Sequence, residues 1–591
     1  HFSGDVSMNG LPDITETFIH ADIDDFTTNA DNVEAFALPG GNKRISVPAI
    51  LSKMGLVNIK GKFTGFYNDF MSKAVFKTKL GMLKTDIVLK TLIDDNNLSY
   101  NGSLIATDLD AGTLLSLNSK LGKMNFSLNV DGKGITLNSL NIEAKGGIQS
   151  MYYNGYNYQN IALDGNFDNM VFEGETSIRD QNLDFSFKGL VDFKDERPRF
   201  DFHSTIGHMN LNALKLSHRD SIGLLSTNME CDFVATSIDD IKGMVRFDST
   251  IYLEGNKEYS LDSLIVKSVQ FDDGKSGLTV SSDLIDVDIN GNYAISQIVP
   301  AVKNFIKNFS GNLAKKIQGP RIATYQQQIA FDLLIKDSDP LTELFVPNII
   351  LSPNASLSGN IDLQSMQTRI GAEASFLQLP SMKIYDWQMQ ARSDSSIFNT
   401  TFDFNKIMMR EPTESDSIGV GIDSLSIITG MYNDTLHFKI SWNDLSNEQI
   451  SVGDLDGFFE VGKGQYYSAG INNAKMLFDG AVWNVQQGNK IVSDSSAWAF
   501  TDLNFINDTS MLSISGGVSS SPLDSLKLGF RKLDISHVDR LLRNDNFDID
   551  GVLNGDLTLV NLYETPNILA NIQLSDLYFN SEELGTLKLN T

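Results

Sequence analysis

Apolar and polar residues alternate along most of this chain, and this period of two is typical of a β-strand with one face in water. The alternation is clearest in the runs 125–130, 184–193, 200–202 and 568–575. It places all apolar residues of a run on one side of the strand. We therefore predict that one sheet face carries Phe126, Leu128, Val130, Phe185, Phe187, Phe200, Phe202, Ile572 and Leu574.

Tight-turn dipeptides recur along the same runs. Asn-Gly and Asp-Gly supply the positive φ that two-residue hairpins require, so we predict hairpins there and an antiparallel sheet. With about 12 to 15 residues for a strand and its turn, the chain has room for on the order of 40 strands. The predicted hairpin pairs are Asn101-Gly102, Asp131-Gly132, Asn154-Gly155, Asp164-Gly165, Asn290-Gly291, Asp456-Gly457, Asp479-Gly480 and Asn554-Gly555.

A sheet of that size cannot stay flat, because strands twist. At about 4.8 Å per strand it would exceed roughly 150 Å, and its apolar face must be covered. We expect an all-β fold in which a very long, mostly antiparallel sheet folds lengthwise into an elongated groove, with a few short helices. Separate blades or repeats are the alternative, but we find no constant period of about 20 to 50 residues.

Helical periodicity is confined to a few segments. Apolar residues three and four positions apart predict one amphipathic helix around 298–310, with Pro300 near its start. Its apolar side comprises Val302, Phe305, Ile306 and Phe309. Shorter helices are predicted at 43–54, 110–118, 339–346 and 534–543.

We take the amphipathic helix as the break between two similar strand blocks. The first block covers residues 1–295, the helix and its connection cover 296–318, and the second block covers 319–591. The chain begins at His1 and stops at Thr591 inside a strand-like run. We therefore expect it to be a fragment whose second block continues further.

The net charge and the cysteine count exclude several classes of protein. The 47 Lys and Arg residues face 74 Asp and Glu residues, a formal charge of −27, which argues against binding a nucleic-acid backbone. A single cysteine excludes a disulfide framework. No run reaches the roughly 18 apolar residues of a membrane span.

No motif predicts catalysis, a metal or a cofactor. The run 273–276 is similar to the end of a phosphate-binding loop, but Val269 stands where that loop needs glycine. His203, His208 and His218 lack metal-binding spacing on a helix. Cys231 alternates with apolar residues beside Glu230, which favours packing over reactivity. We do not expect an enzyme.

The apolar face remains as the candidate site, and two interpretations of it stay open. It is either an ordinary packed sandwich core or an open trough whose floor holds acyl chains. An open trough would lower the free energy of moving an acyl chain through water, because each CH₂ exposed to water costs about 0.8 kcal/mol. In the second interpretation, Val302, Phe305, Ile306 and Phe309 dip into the trough as a plug. Simple capping of a strand block is the alternative role of that helix.

Several stretches resemble the TamB family (translocation and assembly module) of the AsmA-like group, in its Bacteroidota form. The similar elements run in order over nearly the whole chain. They are 55–66 (GLVNIKGKFTGF) with Asp69-Phe70 and Leu80-Gly81, 156–167 (YNYQNIALDGNF), 282–293 (SDLIDVDINGNY), Trp483, 513–517 (SISGG), Leu541-Leu542 and 553–557 (LNGDL).

This resemblance implies a taco-shaped β-groove that carries phospholipids between the inner and outer membranes through the periplasm. It also implies an inner-membrane anchor before this sequence and a region after it that meets an outer-membrane barrel protein of the BamA or TamA type. The alternative function is a chaperone-like factor for translocation and assembly of outer-membrane proteins, which would offer strand edges to nascent strands. A structural solenoid with a filled core is a third option.

Overall fold

The computed structural model describes every residue except 12, 14–15, 36–46, 48–51, 92–97, 118–119, 135–138, 218–221, 318–326, 411–419, 445–450, 479, 537–548, 564 and 581. Its 35 strands belong to one antiparallel sheet, which confirms the predicted all-β class. The chain divides into two compact units, residues 1–269 with 281–283, and residues 270–280 with 284–591. Residues 270–280 and 284–295, which we assigned to the first strand block, lie in the second unit.

The first unit contains strands β1 to β15, and each strand pairs with the next one in the sequence. This simple order follows from the short connections, since neighbouring antiparallel strands need only a tight turn. The strands are β1 Phe2–Asn9, β2 Phe18–Thr28, β3 Val57–Phe66, β4 Asp69–Thr78, β5 Gly81–Thr91, β6 Leu98–Asp110, β7 Leu121–Lys133, β8 Asn141–Tyr153, β9 Tyr156–Asp168, β10 Val171–Asp180, β11 Leu183–Asp192, β12 Arg199–Asn210, β13 Gly223–Val234, β14 Lys242–Glu254 and β15 Lys257–Gln270.

The second unit continues the same meander with two local exceptions. Strand β18 pairs with β20, leaving the short β19 on β21, and the short strands β28 and β29 both bridge β27 and β30. The division between the units falls within β16. The strands are β16 Ser276–Ser282, β17 Ile285–Asn292, β18 Gln328–Ile335, β19 Ile350–Leu351, β20 Ala355–Asp362, β21 Gln367–Leu379, β22 Met382–Ser393, β23 Phe398–Arg410, β24 Val420–Tyr432, β25 Thr435–Asp444, β26 Ser451–Val461, β27 Tyr467–Phe478, β28 Ala481–Val485, β29 Lys490–Asp494, β30 Ala497–Asn507, β31 Ser510–Val518, β32 Ser525–Asp534, β33 Ile549–Val560, β34 Asn567–Phe579 and β35 Glu582–Asn590.

The described residues form five α-helices: α1 Ala30–Ala35, α2 Ala111–Leu115, α3 Ile298–Phe309, α4 Gly311–Lys316 and α5 Asp339–Phe345. The predicted helices at 298–310, 110–118 and 339–346 are confirmed as α3, α2 and α5. Helix α2 is shorter than predicted and begins after Asp110, whose carboxylate accepts the Thr113 N–H at 2.9 Å. The predictions at 43–54 and 534–543 lie mostly outside the described residues. The sequence did not predict α1 and α4.

Most of the predicted hairpin pairs are wrong. Asn154-Gly155 does join β8 to β9, and Gly480 lies between β27 and β28, although Asp479 is outside the described residues. The other six pairs lie inside strands: Asn101-Gly102 in β6, Asp131-Gly132 in β7, Asp164-Gly165 in β9, Asn290-Gly291 in β17, Asp456-Gly457 in β26 and Asn554-Gly555 in β33.

The physical reason is that the Asn or Asp lies on the polar face and the glycine on the apolar face. A Cβ at Gly555 would lie 2.1 Å from the carbonyl oxygen of Asn571 on the next strand, so no larger residue fits. The preceding Asn554 accepts the N–H of Lys532 at 2.8 Å, at a point where β32 bulges. In these dipeptides the glycine therefore lets the neighbouring strands approach closely, and the chain does not reverse direction there.

Candidate binding site: the apolar face

The seven predicted lining residues of the first unit share one sheet face. Directly paired residues of antiparallel strands point to the same side, so pairing partners define rows across the sheet. Val130 reaches Phe202 in one such row through Ala144, Gly165, Gly174 and Gly189. The neighbouring rows connect Leu128 with Phe187, Phe126 with Phe185, and Gly132 with Phe200.

This apolar face crosses every strand of the first unit. The row through Val130 extends from β1 to β15 and contains one polar side chain, Ser72. Its members are Val6, Ala21, Phe63, Ser72, Ile87, Gly102, Val130, Ala144, Gly165, Gly174, Gly189, Phe202, Cys231, Val245 and Val266.

Ile572 and Leu574 lie on an apolar sheet face of the second unit. Ile572 belongs to a row that runs from Val485 to Leu589, and Leu574 lies between Leu553 and Leu587. Near these rows the unit has a small buried cluster of Ala474, Val485 and Leu503. The apolar face is therefore present in both units.

The apolar side chains on this face are mostly half-buried. Val130 is 5% exposed, but Phe126, Phe185, Phe187 and Phe202 keep an intermediate exposure. These four side chains therefore stay partly in contact with solvent.

An apolar cavity lies against this face in the first unit. It measures about 530 Å³, within the range of small-molecule sites. One wall is the sheet between β3 and β8, and the other is formed by Ala30 and Val33 of α1 with Val47 and Met54. The sheet wall includes Val57, Ile59, Phe76, Leu83, Ile87, Leu89, Leu98, Tyr100, Leu104, Leu109 and Ile142. We did not predict these residues as part of the lining, although their alternation is as regular as that of the predicted set.

The opposite face of the same strands is lined by paired charges. Lys62 lies 2.9 Å from Asp22, Lys73 lies 2.7 Å from Asp86, and Lys188 lies 2.6 Å from Glu175. Lys145 makes the same kind of pair with Asp164. The hydrogen bond that Lys188 donates to Glu175 raises the pKa of Lys188. All eight residues lie in one row, so the two sheet faces differ sharply in polarity.

The amphipathic helix α3 packs against the start of β23 in the second unit. Phe305 and Phe309 both pack against Phe398, with ring centroids 5.6 and 5.7 Å away. Phe398 begins β23 and is paired with Met431 on the apolar face. Ile306 is half-buried, whereas Val302, predicted for the same side, is 45% exposed. Helix α3 therefore meets the apolar face at its rim, the edge at which β23 begins.

The other candidate chemistry does not converge into a site. His203 is exposed on the polar face, and the Nε2 of His208 donates to the backbone carbonyl of Gln181 at 3.2 Å. His218 lies outside the described residues. The described part of the chain has no group of three or more His, Cys, Asp or Glu residues placed to hold a metal ion. Within that same part, no helix is long and apolar enough to cross a bilayer.

Cys231 lies on the apolar face between Phe202 and Val245 and is 3% exposed. Burial raises the pKa of this thiol from 9.0 to about 11. We expect its reaction with a disulfide reagent at pH 8 to be about 100-fold slower than in the unfolded chain, because only the thiolate reacts. The rate should rise steeply as the pH approaches 11. An equal rate in folded and denaturant-unfolded protein would contradict this placement.

The raised pKa also has a consequence for stability. The folded state favours the neutral thiol of Cys231. Its contribution to the free energy of unfolding is therefore fully present below pH 9.0, the ordinary pKa, and is lost as the pH rises from 9.0 to about 11. Cys231 is the single cysteine of the chain, so no other thiol obscures the measurement.

No protein-family model, curated protein or solved structure matches this chain.

Proposed function

We propose that this chain binds phospholipid acyl chains on its apolar face and conducts phospholipids between two membranes. The observation that carries the proposal is the continuous, half-buried apolar face of the first unit with its cavity of about 530 Å³. An acyl chain of about 16 carbons would expose apolar surface worth roughly 12 kcal/mol in water. A continuous apolar path removes most of that cost at every step.

The resemblance to the TamB family supports the cellular setting of this proposal. In that setting the chain lies in the periplasm, anchored to the inner membrane by a segment before His1. A region after Thr591 would engage an outer-membrane barrel protein. The charged polar face suits a protein whose outside stays in water, since its lysines and carboxylates are paired across the strands.

Mass spectrometry of lipids extracted from detergent-free protein tests the proposal. We expect more than one phospholipid per chain, and uptake of added dioctanoyl phosphatidylcholine after the native lipid has been removed. Cys231 provides a readout on the same face, because bound lipid should slow its alkylation further. A folded, lipid-free protein that takes up no phospholipid would overturn the proposal and favour the assembly-factor alternative.

A further inference from the structure

The helical segment of the second unit is basic in an otherwise acidic chain. Helices α3 and α4 carry Lys303, Lys307, Lys315 and Lys316. No Asp or Glu occurs between Asp288 and Asp332, although the chain as a whole has a charge of −27. This concentration of positive charge marks a surface suited to an anion.

No carboxylate neutralises these lysines within the described part of the chain. Lys303 donates to the carbonyl of Ile317 at 2.7 Å, and none of the four takes part in the ion pairs of the described residues. The carboxylate of Asp434, which contacts these helices, is already used as a hydrogen-bond acceptor. It accepts the Ser310 hydroxyl at 2.7 Å and the Asn312 N–H at 2.8 Å, which fastens α4 to the turn between β24 and β25.

The two helices lie along the rim of the apolar face. Helix α3 packs on Phe398, and its Asn308 donates to the carbonyl of Ser395 at 3.0 Å. Asn312 of α4 donates to the carbonyl of Val461, the last residue of β26, at 3.0 Å. The row that borders the helices contains Phe398, Met431, Leu436 and Phe459.

Lys316 brings a charge directly onto this rim. Its Nζ lies 3.8 Å from the ring centroid of Tyr467, is buried and has no hydrogen-bond acceptor. The Tyr467 ring in turn stacks on Phe459, with centroids 5.7 Å apart. A buried ammonium without an acceptor is costly, and a cation–π contact offsets only part of that cost.

We propose that α3 and α4 bind the phosphate of an anionic phospholipid headgroup while its acyl chains lie on the adjoining apolar face. Lys307 and Lys315 are exposed and supply the first attraction, and Lys316 leaves the Tyr467 ring to donate to a phosphate oxygen. The adjoining Leu436 and Phe459 receive the acyl chains. The inference rests on the proposed function and adds a preference for headgroup charge.

Binding of short-chain lipids by calorimetry tests this inference. The probes are dioctanoyl phosphatidylglycerol, dioctanoylglycerol with the same chains but no phosphate, and glycerol 1-phosphate with no chains. We expect phosphatidylglycerol to bind roughly tenfold tighter than dioctanoylglycerol at low salt, a ratio that shrinks at high salt because screening weakens exposed charges. Lys307→Gln/Lys315→Gln/Lys316→Gln should reduce the preference to within about twofold. Glutamine keeps the helix propensity of lysine, so the helices remain folded.

The matched control removes three lysines that already have carboxylate partners in the same unit, Lys336→Gln/Lys406→Gln/Lys439→Gln. It has the same net charge as the test variant and should keep the preference for phosphatidylglycerol. Equal loss in both variants would overturn the inference, as would glycerol 1-phosphate binding as tightly as phosphatidylglycerol. Equal binding of both lipids would refute the headgroup site alone, whereas failure of both dioctanoyl phosphatidylglycerol and dioctanoylglycerol to bind would refute the proposed function.

Discussion

Phe202→Asp is expected to reduce the phospholipid bound to the purified protein by at least tenfold. Phe202 lies between Gly189 and Cys231 in the row that crosses the first unit. A carboxylate there would face acyl chains without a partner, which costs several kcal/mol, and 1.4 kcal/mol already corresponds to a factor of ten. Lipid extraction and mass spectrometry measure the effect directly.

The neighbouring residue provides the matched control. His203 is next along β12 but points to the polar face, so His203→Asp adds the same charge without changing the apolar face. We expect that variant to retain its lipid. If both variants retain lipid, or both lose it while circular dichroism shows a folded chain, the apolar face is not the binding site.

A second pair of variants, on β7, tests the same face independently, so that misfolding caused by one substitution cannot decide the result. Leu128 lies on the apolar face, and Asn129 lies on the polar face beside Lys145. Leu128→Asp should lose lipid, while Asn129→Asp changes one amide to a carboxylate near a cation and should behave as the parent. Agreement between the two strands would identify the face, rather than one side chain, as the binding surface.

Gly291→Ala is expected to destabilise the second unit by about 2 to 4 kcal/mol. This glycine lies inside β17 with φ +149°, and a Cβ there would lie 1.9 Å from the carbonyl oxygen of Gln328 on β18. Backbone is the obstacle, so the strand pair would have to move apart. The four tryptophans, Trp387, Trp442, Trp483 and Trp498, all lie in the second unit and report its unfolding in urea.

Gly371→Ala is the control for this prediction. Gly371 also lies inside a strand of the second unit, β21, but a Cβ there would meet no atom within 4 Å. Alanine should stabilise the unit by about 0.4 to 1 kcal/mol, because it restricts the unfolded chain. A similar urea midpoint for both variants would show that the close approach at Gly291 is not required for the fold.

Residue patterns within single strands were enough to predict the fold class and one face of the sheet. The period of two placed Phe126, Leu128 and Val130 on one side of β7, and the same rule applied to β11 and β12. Pairing then brought Phe185, Phe187 and Phe202 onto the same face as the β7 residues. A local alternation contains this information because successive side chains of any extended strand point to opposite sides.

Turn positions and bulges could not be predicted in this way. Asn-Gly is the same local signal whether it reverses the chain, as at Asn154-Gly155, or lies in a strand, as at Asn554-Gly555. The neighbouring strand decides between the two, because it fills the space where a Cβ would be. The bulge at Asp108, with φ 49°, likewise depends on the next strand, where Asn125 accepts its N–H at 2.8 Å.

The sequence by itself determined an all-β chain, an apolar and a polar strand face, and an amphipathic helix near 298–310. Only the tertiary structure decided where that helix docks, that Phe305 and Phe309 pack on Phe398, and that Lys316 comes to lie over Tyr467. Alternation and helical period are properties of neighbouring residues in the chain. Contacts between residues 316 and 467 depend on how many strands lie between them and on the register of each pair, and no local pattern carries that information.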